Sequence, residues 1–129
     1  LNLEDDVKVN GSLWRVVRTL TLKQDVDYAL LGHCFEDSTS RIVGQIPGYT
    51  IRVSERGECT HGYYITLKGC KQLLRSITHD KCTLPIDDCI RNKYQQKVIR
   101  AVSIHPPVVT VQRMVSTIDP ERMSILDQV

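Results

Sequence analysis

A chain of 129 residues, 41% hydrophobic and 25% charged, has the length of one domain and a globular composition, enough to bury an ordinary core without staples. Seventeen Lys and Arg against fifteen Asp and Glu leave a net charge of +2. That excludes nucleic-acid affinity through bulk charge, so any such affinity has to come from where the cations sit.

No apolar run approaches the roughly eighteen residues of a membrane span, and the opening "LNLEDD" carries no signal-type apolar core. The chain is expected to be trimmed, soluble and without a membrane partner. Taken in order, "NGSLWRVVRTL" offers Ser12 as an N-cap, then Leu13, Val16, Val17 and Leu20 on one helical face and Ser12, Arg15, Arg18 and Thr19 on the other. Trp14 falls at the edge of the apolar face and is expected to plug the core rather than to offer a stacking platform. In "KQDVDYALLGHCF" the period changes: Val26, Tyr28 and Leu30 alternate as in a strand, with Asp25 and Asp27 in the turn before it, where they can bond free backbone donors. Tyr28 is expected to anchor that turn by packing toward Trp14 or toward the helix after "YYIT".

"STSRIVGQIPG" reads as a connector. "YTIRVSERG" alternates Tyr49, Ile51 and Val53 against Thr50, Arg52 and Ser54, and "YYIT" follows as the second strand of a hairpin whose tip is the charged "ERGECTHG". "TLKGCKQLLRSI" restores helical spacing, with Thr66 as N-cap, Leu67, Cys70, Leu73, Leu74 and Ile77 inward, and Lys68, Lys71, Gln72 and Arg75 outward. "LPIDDCIRNKYQQKVIRAVS" is predicted as the longest helix. Pro85, Asp87 and Asp88 suit its start, Lys97 and Arg100 its end, and Ile86, Cys89, Ile90, Lys93 or Tyr94, and Val98 its buried side. Beyond the proline pair, "VVTVQRMV" could add a strand and "DPERMSILDQ" a short capped helix. The expected fold is α+β: a small, mostly antiparallel sheet or hairpin packed against three to four helices. Residues 1–105 form the domain and residues 106–129 a C-terminal tail.

Five cysteines (Cys34, Cys59, Cys70, Cys82 and Cys89) are an odd number, widely spread, and are read as reduced thiols of an intracellular protein. "CTH" and "HDKC" bring His61 and His79 near cysteines in sequence, but C-x-H followed far downstream by H-x-x-C is not a usual zinc spacing. Cys70 and Cys89 fall on apolar helix faces, where cysteine behaves as a small hydrophobe. No metal or other cofactor is expected. Cys59 with His61 lacks a marked base, orienting group or oxyanion hole, and no phosphate-cradling glycine loop is present, so no enzyme activity is expected either.

Four pieces in order, the Trp14 helix, "DVDY", "YYIT" and the helix after it, resemble the N-terminal domain of phage antirepressors of the AntA type and of the Bro proteins of large DNA viruses. The matching residues are Trp14, Asp25, Asp27, Tyr28, Tyr63, Tyr64, Ile65, Thr66, Gly69 and Leu73, over residues 12–78. The basic "GRP" element such phage proteins often carry in the connector is absent here. The resemblance implies a DNA-binding regulatory module of viral or phage type, working in the cytoplasm or nucleus of a host.

The residues that would carry this role are Arg15, Arg18, Lys68, Lys71 and Arg75 on the two helices and Arg41, Arg52 and Arg56 on the hairpin, as one footprint on double-stranded DNA. The alternative is a protein-interaction module, a homodimer included, that docks through "VVTVQRMV" by strand addition.

Overall fold

Alternation along β3 (Tyr28–Cys34) decides the architecture. Tyr28 and Leu30 point into one apolar cluster, with Leu73, Ile90, Tyr94, Ile99 and Ala101, while Ala29 and Leu31 point into another, with Leu13, Val16, Leu20, Val102 and Ile104. A strand whose two faces are both covered reads as a continuous apolar run, which is why "YALL" is buried throughout. Helix α1 (Leu13–Leu22) lies on one side of it, and α2 (Leu67–Asp80) and α3 (Ile86–Gln95) lie on the other.

The structure, a computed structural model, describes residues 1–112. The remaining strands are β1 (Asn2–Leu3), β2 (Val7–Val9), β4 (Ile42–Ile46), β5 (Tyr49–Val53), β6 (Glu58–Ile65), β7 (Ala101–His105) and β8 (Val109–Val111). They form a six-stranded mixed sheet in the order β1-β6-β3-β7-β5-β4 and a separate two-stranded sheet, β2-β8. β3 and β7 run parallel, with Tyr28 opposite Ala101, and every other pairing is antiparallel. The expected small hairpin against three to four helices is therefore overturned: a six-stranded mixed sheet and a two-stranded sheet together take slightly more of the described residues than the three helices do. None of these helices is long and apolar enough to cross a membrane.

Several local expectations change with it. "RIVGQI" is β4, not a connector, and its partner is β5 through a turn at Gly48, whose φ of 85° suits a residue without Cβ. β5 and β6 form no hairpin with each other, because β3 and β7 lie between them. The long helix predicted from Pro85 stops at Gln95. Lys97 takes a left-handed φ of 60°, which breaks the helical run, and "AVSIH" becomes β7 instead. "VVTVQRMV" is a strand only over Val109–Val111, and "DPERMSILDQ" lies outside the described residues.

Thr66 caps α2 as expected, its Oγ1 accepting the Gly69 amide at 3.0 Å. Ser12 holds the N-cap position of α1 as expected, but its hydroxyl makes no capping bond, and its amide donates to Asn10 Oδ1 at 2.9 Å. Asp27, buried, bonds across the sheet rather than within its turn: its Oδ2 accepts the Arg100 amide at 2.9 Å. Four of the five cysteines are disulfide-bonded, Cys34 with Cys59 (Cα–Cα 5.8 Å) and Cys82 with Cys89 (Cα–Cα 6.1 Å), which overturns the reading of reduced thiols; Cys70 is free. The wide spacing of Cys34 and Cys59 concealed their pairing, because β3 and β6 are neighbours only in the folded sheet, whereas Cys82 and Cys89 stand only seven residues apart. Lys93, buried on α3, is neutralised by Asp80 at the end of α2.

Candidate functional site

Ten residues without a carboxylate make up α1. Val16 and Leu20 bury one side of it, so residues 14, 18 and 22, spaced at four, share the opposite side with 15 and 21. Trp14 is 69% exposed there and Leu22 79% exposed, a correction to the expected core plug: the indole points away from both clusters. Arg15 and Arg18 are exposed beside it, and Arg15 Nη2 donates to Ser12 Oγ at 3.1 Å. The hydroxyls of Thr19 and Thr21 donate back to the Arg15 and Arg18 carbonyls, so both are satisfied within the helix. This face offers an uncovered aromatic plane, an exposed leucine and two guanidinium groups free of carboxylate partners on their own helix. The spacing of 14, 18 and 22 was the sequence signal for it, overridden by the usual place of a lone indole.

The other predicted cations lie elsewhere. Lys68, Lys71 and Arg75 are exposed on α2, across the sheet from α1, so the two helical groups cannot share one footprint. Leu67 and Leu74, expected inward, stand 72% and 60% exposed on the same helix. Arg41 is exposed just before β4. Arg52 on β5 is half-buried and tied down, its Nη1 donating to the Ser40 carbonyl at 2.5 Å. Arg56, in the loop after β5, lines an open cleft of about 630 Å³ with Phe35, Glu36, Glu58, Arg91 and Gln95. Arg91 is paired there with Glu58 and Asp88. Burial raises the Glu36 carboxyl, but the Ser54 hydroxyl and the amides of Arg56, Glu55 and Asp37 outweigh it and hold it below the usual range. Its work is to organise the loop.

A second constellation gathers where β3 and β6 lose register. Shifts between Leu30 and Gly32 and between Gly32 and Cys34 mark bulges, and bulges re-aim side chains. Cys59 takes a left-handed φ of 69°. The two cysteine sulfurs and a ring nitrogen of His61 lie within 4.8 Å of one another. The ring of His33 sits 4.6 Å from that of His105, and a ring nitrogen of His33 is 2.9 Å from the Ile104 carbonyl. Sequence spacing grouped Cys59 and His61 with His79 and Cys82; the fold groups them with Cys34.

Burial, and then the nearby His33, hold both His61 and His105 below the usual imidazole value of 6.5. The folded chain keeps them neutral while the unfolded chain takes up protons as pH falls through about 6.5. Stability is therefore expected to fall from about pH 6.5 downward and to level off below the lowered folded values. Glu36 adds a separate loss at lower pH, through the carboxylate range. Melting temperatures taken from about pH 7.5 to about pH 5.5 check this: a flat profile contradicts it, and His105→Gln should shallow the slope. No protein family, no curated protein and no solved structure matches this chain.

Proposed function

We propose that the domain is a DNA-binding regulatory module that meets the phosphate backbone with the outer face of α1. The observation that carries this reading is Trp14, exposed beside Arg15 and Arg18 on a helix without a carboxylate. Exposed cations alone describe most solvated helices; an uncovered indole among them does not. The guanidinium groups take phosphates, and the indole lies against the sugars or wedges an opened base step. The resemblance of residues 12–78 to the AntA and Bro domains, read from the sequence, supports the same reading and would imply a place inside a host cell. Disulfides in such a compartment are transient or redox-sensing.

A second reading is a protein-docking or dimerisation face on the same helix. It is favoured by Leu22, for which a phosphate contact has no use, and by the high share of Trp and Arg among interface hot spots. Strand addition by residues 109–111 is less available, because that strand already pairs with β2.

Trp14 is the chain's single tryptophan, so its emission reports this face directly. Titration with duplex DNA at two salt concentrations is expected to change the emission saturably, with a log–log salt slope near −2 for two phosphates. Arg15→Glu with Arg18→Glu should abolish the change, and Lys68→Glu with Lys71→Glu and Arg75→Glu should leave it. An emission that neither duplex nor single strands move transfers the face to the docking reading, to be read as a concentration-dependent molar mass.

A further inference from the structure

We infer that, once the Cys34–Cys59 disulfide is reduced, the two thiolates and the His61 imidazole bind one zinc ion. Zinc takes sulfur at about 2.3 Å and imidazole nitrogen at about 2.0 Å, which in a tetrahedron sets ligand atoms roughly 3.5–3.8 Å apart. The three donor atoms already lie within 4.8 Å of one another, on backbone that the bulge and the left-handed Cys59 hold in place. Opening the disulfide lets the sulfurs separate to that spacing with no shift of the strands.

His61 is prepared as a ligand. It is buried, and its ring packs over Gly32, where a side chain would collide with it and with the Val109 carbonyl. Among the described residues this is the one His, Cys, Asp and Glu grouping with such a spacing, so the Cys82–Cys89 pair has no equivalent.

The steps balance. A dithiol protein reductant supplies two electrons and two protons, the sulfur–sulfur bond breaks, two thiols form, and the reductant closes its own disulfide. Zinc then forms two Zn–S bonds and one Zn–N bond and releases the two thiol protons to solvent, and a water fills the fourth position. Two thiolates against Zn²⁺ leave the site neutral, which suits its half-buried setting.

The test uses the whole chain, reduced with a phosphine that is then removed, and titrated with Co²⁺ and afterwards Zn²⁺. One Co²⁺ per chain with thiolate-to-cobalt charge-transfer absorption, displaced by one Zn²⁺, is expected; the oxidised chain should give none. His61→Gln should weaken binding at least about tenfold, and Cys82→Ser with Cys89→Ser should leave it unchanged. Cys34→Ser, which should halve the thiolate absorption, provides a second arm if His61→Gln does not fold. No uptake by the reduced chain, uptake indifferent to His61→Gln and Cys34→Ser, or uptake lost with Cys82 and Cys89 overturns the inference.

Discussion

Tyr28→Ala is expected to lower the unfolding free energy by about 3–5 kcal/mol, the range for truncating a large buried aromatic. The ring is 1% exposed and packs among Leu73, Ile90 and Tyr94, with the ring of Tyr63 at 5.2 Å, so removing it opens a cavity where β3 meets α2 and α3. The Lys93–Asp80 pair ties α2 and α3 to each other and restrains either helix from shifting alone into that space. Burial drives the Tyr28 phenol far above its ordinary pKa, so the hydroxyl stays neutral throughout the working range. Chemical denaturation measures the change. Trp14→Ala, on the exposed face, should move stability by no more than about 0.5 kcal/mol while weakening duplex binding, read from the anisotropy of a labelled duplex because this variant lacks the chain's single tryptophan. A Tyr28→Ala chain as stable as the parent would show that this packing does not hold the layers together.

Gly32→Ala should cost about 3 kcal/mol, the upper end of the overpacking range. A Cβ at residue 32 meets the His61 ring and the Val109 carbonyl. Neither yields easily, since the ring is buried and the carbonyl is main chain. The cost is thus the cost of moving β8 off the large sheet, together with Val108 and Val109, both fully buried in the α1-side core. Gly11→Ala, where an added Cβ meets nothing within 4 Å, is the control and should be nearly neutral. Equal midpoints for the two variants would mean that β8 does not rest where the structure puts it.

The legible parts of the fold were those whose signal is local. Leu13, Val16 and Leu20 at helical spacing, Thr66 capping α2, and the change of period at Asp27 all depend on residues close in sequence. Tyr28 as anchor was legible for the same reason, and it packs against the helix after "YYIT", with Trp14 on the other side of the sheet. What stayed hidden was pairing. Nothing in "YTIRV" says that its partner is "AVSIH", some fifty residues on, and β4 was masked by a glycine and a proline that belong to its own hairpin turn. β7 is buried from Ala101 to Ile104, but Ser103 and His105 interrupt its apolar residues, and so short a segment cannot be told from the end of a helix by periodicity alone. The candidate site divided along the same line: Arg15 and Arg18 could be placed outward by spacing, whereas the Cys34, Cys59 and His61 grouping exists only because β3 and β6 slip in register.

The place of β7 between β3 and β5 has a consequence for how the chain is made. As the polypeptide leaves the ribosome, every strand from β1 to β6 emerges before β7 does, yet without β7 the large sheet is two fragments, β1-β6-β3 and β5-β4, with no strand in common. Its parallel partnership with β3 spans most of the described chain, from Tyr28 to Ala101, and closing such a loop is slow. The nascent domain must therefore wait, with two unpaired inner edges exposed to any neighbouring strand. A circular permutant that begins with residues 98–112 would deliver the missing strand first and should fold faster and aggregate less during synthesis.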